Sequence, residues 1–245
     1  MHLEREMTVH FIDELTPVAA YIAAEMNKNP TTTIGRRIRS LNEATTQKCL
    51  EAYHCQPWWL QLFSMSPEDC AAVGMSNKAA AVMLWRSQVT YQADWDHKPH
   101  LGRMRHLWSK TLGRHDYHVY GTTVYGFDVW SNVHYGYVGR AVGFSARMLL
   151  DGAGLAQLMN DTKKSVRSFA KTGAIPPWEK PFTSGQEPGL RKWDRPEDRE
   201  SIRLGIKLYQ KRKALLTPQL LVEHILRLER IRKKPLAAFR RDNVI

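Results

Sequence analysis

The segment DVWSNVHYGYVGRAVGFS, residues 128–145, is the densest polar and aromatic stretch of the chain. Its pattern predicts a helix that begins at a cap formed by Ser131 or Asn132. Three glycines follow at spacings of three and four residues, so we expect them on one helix face, open to a neighbouring backbone or a substrate: Gly136, Gly139 and Gly143. The polar residues before these glycines are candidates for the rim of a functional site.

Helical patterns surround this segment on both sides. TPVAAYIAAEMNKNP, residues 16–30, predicts a helix capped by Thr16, with Pro17 in its first turn. The strongest β pattern is DYHVYGTTVYGFDVW, residues 116–130, which is rich in Tyr, Val and Thr and contains two turn glycines. We therefore predict a mainly α fold with a small β-hairpin, an α+β class. It forms a single compact domain with a basic C-terminal helical extension.

Positive charge is concentrated near the C-terminus. The 245 residues carry a net charge of +12, and residues 203–241 hold twelve Lys and Arg against two Glu. The rest of the chain is almost neutral, so its charge does not indicate a cleft that grips phosphates. Thr217 and Pro218 open a predicted final helix with an apolar stripe formed by Leu221, Ile225, Leu228 and Ile231. We predict a catalytic domain over residues 1–210 and a basic amphipathic helix or tail over residues 211–245, suited to docking.

The chain shows no pattern typical of export through the general secretory route. The stretch MHLEREMTVHFIDEL has charges where a signal peptide needs an apolar core, and no run of eighteen apolar residues is present. We therefore expect synthesis in the cytoplasm without a signal peptide. The three cysteines, Cys49, Cys55 and Cys70, form no CxxC pair, and we expect them to be partly buried free thiols.

Several motifs together carry a resemblance to one family. These are AAEMNKNP at 23–30, WDHKP at 95–99, the segment at 128–145, LLDGAGLAQL at 149–158 and DRPEDRESIRLGIKLY at 194–209. The chain resembles the polymorphic toxin type 44 family over most of residues 18–210. The resemblance implies an antibacterial effector toxin, delivered by a system such as type VI secretion and paired with a cognate immunity protein. It implies no particular target.

Glu25 and Asp128 are the candidate carboxylates for glycoside cleavage. Glu25 lies near a helix C-terminus among Ala, Ile and Tyr, a setting that favours the neutral acid that a glycosidase needs. The alternative is a solvated Glu paired with Lys28. Asp128 follows an aromatic segment and is the candidate second carboxylate, with a turn or cap role as the alternative.

His134 and the WDHKP loop supply the other candidate groups. His134 is a candidate general base, metal ligand or structural imidazole, and Asp96 is a second catalytic candidate. HExxH is absent, so no metal or other cofactor is assigned, although a divalent metal is compatible with this cluster. We expect Glu25, Asp96, Asp128 and His134 to share one pocket. The candidate substrate-binding residues are His97, Lys98, Trp130, Asn132 and Tyr135.

Some of these residues are also compatible with purely structural roles. Asp96, His97 and Lys98 are also compatible with a salt-bridged loop anchor. Asp194 and Asp198 are interpreted as charges at a helix N-terminus, where acids complement the helix dipole.

Three functions fit these patterns. The favoured one is an antibacterial toxin that hydrolyses peptidoglycan as a muramidase-like glycosidase, delivered into the periplasm of target bacteria. The second is a nuclease toxin that acts on RNA or DNA through Asp96, His97, Asp128 and His134. The third is a non-enzymatic basic module that binds nucleic acid or an anionic surface through its tail.

Overall fold

The computed structural model describes residues 11–61, 64–211 and 214–242. The α-helices are α1 (Leu15–Lys28), α2 (Thr33–Glu43), α3 (Thr46–His54), α4 (Trp58–Gln61), α5 (Pro67–Val89), α6 (His97–Arg103), α7 (Asp128–Ala141), α8 (Ala146–Thr172), α9 (Pro196–Lys211), α10 (Pro218–Leu226) and α11 (Leu236–Asp242). The strands are β1 (Tyr117–Tyr120), β2 (Thr123–Gly126) and β3 (Lys233–Pro235), and short 3₁₀ turns cover Asn29–Thr31, Arg105–Leu107, Pro177–Glu179 and Gly189–Trp193. The predicted class, mainly α with a small β element in one compact unit, is confirmed.

Helix α7 lies at the centre and touches α9 backbone to backbone. A Cβ added to Gly136 would lie 2.2 Å from the carbonyl oxygen of Ile202, and one added to Gly205 would lie 2.0 Å from that of Val133. Side chains larger than hydrogen at these two positions would push the helices apart. Glycine therefore sets the α7–α9 distance, and with it the position of every side chain at the start of α9.

The predicted details of α7 need two corrections. The helix begins at Asp128 with Phe127 as its cap, so the expected cap at Ser131 or Asn132 is wrong. The N–H of Phe127 is bound by the carbonyl of Asp116, which fixes the earlier start. Gly143 lies beyond the helix at φ +97°, so the three glycines do not share one face. It ends the helix in a left-handed turn that favours glycine.

Helix α1 begins at Leu15, two residues earlier than a cap at Thr16 predicts. The carboxylate of Asp13 accepts hydrogen bonds from the N–H groups of Leu15 and Thr16. Asp13 therefore binds the free N–H groups at the start of the helix, the role that we expected for Thr16. The side chains of Val18, Ile22 and Met26 are fully buried along one face of this helix. This face anchors α1 in the core and leaves the opposite face at the surface.

The sheet has three strands where the sequence predicted a hairpin. β1 and β2 form the expected antiparallel hairpin, with Val119 opposite Val124. β3, from the basic C-terminal segment, adds to the free edge of β2, with Lys234 opposite Val124. The sequence KKP contains no pattern that predicts a strand. Residues 233–235 form one here because they pair with the edge of β2.

The C-terminal segment is not one amphipathic helix. Helix α10 ends at Leu226, so the predicted stripe stops short of Leu228 and Ile231. Its buried residues Leu221 and Ile225 face the core, and Leu216 exchanges two hydrogen bonds with the side chain of Asn27 on α1. Residues 214–242 therefore pack onto the body of the protein.

Two of the three cysteines form a disulfide. Cys49 on α3 and Cys70 on α5 are bonded, with their Cα atoms 5.5 Å apart, so the expected free thiols are wrong for this pair. Cys55 is free and exposed. The spacing of the cysteines gave no signal, because only the packing of α3 on α5 brings the two sulfurs together. Within the described residues, no helix is both long and apolar enough to cross a membrane.

Candidate active site

A cluster of charged groups lies where the N-termini of α7 and α9 meet. The carboxylate of Asp128 lies 3.1 Å from Nζ of Lys98 and is also bound by the guanidinium of Arg232. Only 18% of the Asp128 side chain is exposed. One half-buried carboxylate is therefore paired with two cations from different parts of the chain.

Asp198, in the first turn of α9, faces this group through Asn132. The Asn132 side-chain amide donates to Oδ1 of Asp198 at 2.7 Å. Burial raises the pKa of Asp198, and the neighbouring charges of Asp128 and Glu197 raise it further, although Lys98 and the Asn132 bond oppose them. The two carboxyl groups therefore interact with each other in different environments. Asp128 is paired with cations, whereas the raised pKa of Asp198 favours its protonated form.

Asp194 lies just before α9 and is only 4% exposed. Burial raises its pKa to about 7, and the charge of Asp198 adds to the shift. Its Oδ1 accepts from the N–H of Arg195, while Oδ2 has no hydrogen-bond partner among the described residues. The interpretation of Asp194 and Asp198 as simple helix-terminal charges did not anticipate these raised pKa values.

His97 and His134 form a buried pair between α6 and α7. Both are 0% exposed, and their ring centroids are 4.1 Å apart. The Tyr21 hydroxyl lies 2.9 Å from Nδ1 of His97, and the Asn29 amide nitrogen lies 2.9 Å from Nε2 of His134. Four side chains, from α1, the 3₁₀ turn that follows it, α6 and α7, therefore form one polar network inside the core.

Burial sets the charge of this histidine pair. It lowers the pKa of His97 to about 3 and that of His134 well below its ordinary value, so both rings are neutral at neutral pH. His97 Nε2 and His134 Nδ1 have no hydrogen-bond partner among the described residues. Enclosed in the core, the pair connects helices in this structure and presents no surface to a substrate.

The charged and polar residues of the WDHKP loop make contacts in different parts of the structure. Asp96 caps α6, where its carboxylate accepts from the N–H groups of Lys98 and Gln92 at 3.3 and 3.0 Å. His97 points into the core, and Lys98 reaches Asp128. The described contacts of Asp96 are thus backbone hydrogen bonds that hold the loop, without the salt bridge that the alternative expected. No direct contact between Asp96 and Asp128 is described in residues 11–61, 64–211 and 214–242.

Glu25 forms an ion pair with Lys28 at 3.2 Å, and 19% of its side chain is exposed. This is the alternative that the sequence left open for Glu25. Its charge also acts on Tyr21, whose pKa is raised to about 12 mainly by burial. Glu25 thus interacts with Tyr21 of the histidine network, whereas Asp128 is held by cations from α6 and the C-terminal segment.

Two further predicted residues lie away from the carboxylates. Trp130 is fully buried in the core, so its ring contacts protein on all sides. The Tyr135 hydroxyl donates to the carbonyl of Leu149, and burial raises its pKa to about 12. The ring of Tyr135 lines an apolar pocket of about 290 Å³ together with Trp85 and Phe144. The lining of that pocket contains neither Asp128 nor Asp198.

The structure unites part of the predicted set and adds residues that the sequence analysis missed. Lys98, Asn132 and Asp128 lie together, as do His97 and His134. The missed residues are Tyr21, Asn29, Asp198 and Arg232. Asp198 lies in the DRPEDRES motif, which could have singled it out, whereas Arg232 lies in a basic run without any distinguishing pattern. The described residues contain no group of three or more His, Cys, Asp or Glu side chains that could hold a metal ion.

Comparison with known proteins identifies a family for this chain. Residues 84–211, just over half of the chain, match the family model described as bacterial toxin 44. No curated protein and no solved structure matches the chain. The matched segment contains Lys98, Asp128, Asn132 and Asp198, whereas Glu25 and Arg232 lie outside it. The chain therefore belongs to the bacterial toxin 44 family and is a bacterial toxin.

Proposed function

We propose that this toxin hydrolyses a glycosidic bond of peptidoglycan, with Asp198 as the general acid and Asp128 as the second carboxylate. The observation that carries the proposal is the pair itself, in which Asp198 has a raised pKa beside an Asp128 held by two cations. Glycosidases use two carboxyl groups in this way, one protonated and one ionised. A site of this kind needs no cofactor for the hydrolysis.

Each residue has a definite part in the reaction. Protonated Asp198 gives its proton to the glycosidic oxygen as the bond between that oxygen and the sugar carbon breaks. Asp128 stabilises the positive charge that develops on the sugar, and it takes one proton from the attacking water as the water oxygen bonds to the sugar carbon. That proton then replaces the one that Asp198 gave to the leaving group. Asn132 positions the acid through its hydrogen bond to Oδ1. Lys98 and Arg232 hold Asp128 in place through two ion pairs.

This assignment differs from the sequence-based one for the general acid. Glu25 was the expected acid, but its described contacts are an ion pair with Lys28 and an electrostatic interaction with Tyr21. It also lies outside the segment that matches the toxin family. Asp198 lies within that segment and interacts electrostatically with Asp128, so it is the stronger candidate.

The Cys49–Cys70 disulfide supports a target outside the cytoplasm. Disulfides persist in the bacterial periplasm and are rare in the cytosol, where thiols are kept reduced. Peptidoglycan is exposed to the periplasm, whereas the nucleic acids of the target cell are in its cytoplasm. Delivery into the periplasm of target bacteria is therefore part of the proposal.

A nuclease activity is the second candidate, and one observation favours it. Lys98 and Arg232 lie on the same carboxylate, and two adjacent cations are also suited to a phosphodiester. Under this alternative the buried histidines would have to become accessible, because both are fully enclosed. The carboxylate pair needs no such rearrangement.

The partners follow from the family and from the proposal. Membership of a toxin family implies a cognate immunity protein in general. We propose that the chain also meets a component of a secretion system, such as type VI secretion, during delivery. Peptidoglycan is the proposed substrate.

The decisive experiment compares three substrates with one variant. Purified toxin is incubated with peptidoglycan, RNA and DNA, and the products are resolved by chromatography and mass spectrometry. We expect soluble muropeptides from peptidoglycan, and Asp198→Asn to lower their rate of release by about 100- to 10,000-fold. Glu68→Gln, which removes an exposed acid from the first turn of α5, is the matched control and keeps the rate.

A second experiment locates the target in cells. The toxin is expressed in a sensitive bacterium with and without an added export signal. We expect lysis only when the protein reaches the periplasm. Killing from the cytoplasm, with degradation of RNA or DNA in vitro, would replace the glycosidase by the nuclease.

A further inference from the structure

A basic pocket of about 250 Å³ lies between α9 and the chain that follows α10. Arg199, Arg203 and Lys207 line it from α9, and Arg230 lines it from the opposite side. The three α9 residues are spaced by four, so they share one face of that helix. Four cations thus converge on a single concave surface that the proposed hydrolysis does not use.

The wall of the pocket is fixed by Glu200. Its carboxylate accepts hydrogen bonds from the backbone N–H groups of Glu229 and Arg230 at 3.3 and 3.2 Å. These bonds hold residues 228–230 against α9 and use the Glu200 oxygens on the backbone. Leu204 and Leu228 supply the apolar part of the lining. The pocket is therefore a built feature of the fold, since its two sides are tied together.

Arg199 shows which kind of group this surface accepts. It is only 4% exposed, and its guanidinium donates to the backbone carbonyls of Arg191 and Asp194. Its Nε has no hydrogen-bond partner among the described residues and lies 3.6 Å from Oε1 of Glu187. Arg203 binds the same oxygen at 2.7 Å. A carboxylate of the protein itself therefore already binds two of the four cations.

The other two cations remain available. Lys207 and Arg230 are exposed, and no side-chain hydrogen bond or ion pair is described for either of them in residues 11–61, 64–211 and 214–242. A ligand oxyanion in the pocket would meet these two cations and the edge of the Arg199–Arg203 pair. Charge-assisted hydrogen bonds of this kind are roughly twice as strong as neutral ones.

We propose that this pocket is an oxyanion-binding site that takes a carboxylate or phosphate group of a ligand. For the ligand's identity the inference rests on the proposed function, because the peptide stems of peptidoglycan carry free carboxylates. Arg230 lines the pocket, and Arg232, two positions further along the chain, binds the carboxylate of Asp128, so the pocket lies near that carboxylate. A glycan held at Asp128 and Asp198 would then have its peptide stem anchored next to the cleaved bond.

The test measures binding of two probes to the full-length protein at low ionic strength. The probes are inorganic phosphate and muramyl dipeptide, with the amidated dipeptide as a neutral control, and affinities are measured by calorimetry or NMR titration. We expect saturable binding of the muramyl dipeptide, and the Lys207→Gln/Arg230→Gln variant to bind it at least about tenfold more weakly. Lys163→Gln/Lys164→Gln, which removes two exposed charges from α8, is the matched control and keeps the affinity.

The outcomes separate the pocket from the proposed catalysis. Binding of phosphate but not of the dipeptide supports the oxyanion site and assigns it to a phosphate-bearing ligand. Equal affinities of wild type and the Lys207→Gln/Arg230→Gln variant, or an equal loss in the α8 control, overturn the site. If the pocket binds as expected while peptidoglycan is not cleaved, the glycosidase proposal fails and the binding site stands.

Discussion

The guanidinium of Arg232 binds the carboxylate of Asp128, although 104 positions separate the two residues in the chain. Arg232 also donates to the Tyr117 hydroxyl at 2.9 Å, and its backbone carbonyl accepts from the N–H of Gly126. The basic C-terminal segment therefore closes onto the candidate active site. A cut after Gln210 would remove this cation and uncover buried residues such as Leu221, so a point substitution is the sharper test of the tail.

We expect Arg232→Gln to lower the rate of peptidoglycan cleavage by about tenfold or more while the protein stays folded. The substitution leaves Lys98 as the remaining cation on Asp128, and it weakens the electrostatic preorganisation of the site. The rate of muropeptide release and the circular dichroism spectrum measure the two effects. Arg227→Gln, which breaks an exposed ion pair with Glu223, is the control. An unchanged rate in Arg232→Gln would show that Arg232 does not contribute to catalysis, and it would leave docking as the predicted role of residues 211–245.

Glu25→Gln tests the earlier choice of general acid. Because Glu25 forms a surface ion pair with Lys28, we expect the variant to keep activity within about threefold, as is usual for exposed pairs worth under about 1 kcal/mol. Killing at matched expression and cleavage in vitro are the measurements. A loss of about a hundredfold or more would reinstate Glu25 as the acid and remove that role from Asp198.

Asp194 gives a pH dependence of known sign. Its pKa in the folded protein is raised to about 7, so the folded state holds a proton that the unfolded chain releases near pH 4. As pH rises from about 4 to about 7, its contribution to the free energy of unfolding falls, at up to about 1.4 kcal/mol per pH unit, and then levels off. We therefore expect the stability difference between wild type and Asp194→Asn to fall over this range.

The measurement compares the free energies of unfolding of wild type and Asp194→Asn because His97 also makes stability depend on pH, in the opposite direction. Its pKa is lowered to about 3, so its contribution to stability is complete above about pH 6.5 and is lost as the pH falls toward 3. This contribution is common to both proteins and cancels in the comparison. Urea unfolding at several pH values is the measurement, and a constant difference from pH 4 to pH 8 would contradict the raised pKa of Asp194.

Gly205→Ala tests the contact between α7 and α9. The added methyl group would lie 2.0 Å from the carbonyl oxygen of Val133, and neither backbone can yield without moving a helix. We expect a loss of about 3 kcal/mol in the free energy of unfolding, at the upper end of overpacking effects. Gly185→Ala, where a Cβ meets nothing within 4 Å, is the matched control and should change stability little. Similar stabilities of the two variants would show that α7 and α9 are not in backbone contact.

Cys49→Ser tests the disulfide. The bond closes a segment of 21 residues between α3 and α5, and its removal should cost about 3 kcal/mol through the added entropy of the unfolded chain. Dithiothreitol should lower the melting temperature of the wild type but not that of Cys49→Ser. Cys55→Ser changes an exposed free thiol and should behave as wild type. Two free thiols in excess of Cys55, found by mass spectrometry after oxidative refolding, would refute the bond.

Local sequence signals predicted the elements of this protein well. Thr217 caps α10 as the sequence indicated, and the β-hairpin falls within the predicted segment. The family resemblance over most of residues 18–210 is confirmed by the match over residues 84–211. Such features depend on residues within a few positions of one another, and hydrogen bonds inside a single turn or hairpin determine them.

Only the tertiary structure decided which of these residues meet. Asn132 binds Asp198 from 66 positions away, and this contact exists because glycines on α7 and α9 let the two helices touch. Cys49 meets Cys70 through the packing of α3 on α5, and Arg232 reaches Asp128 through the edge of β2. Contacts between distant residues depend on the packing of whole elements, and periodicity and caps along one chain carry no information about that packing.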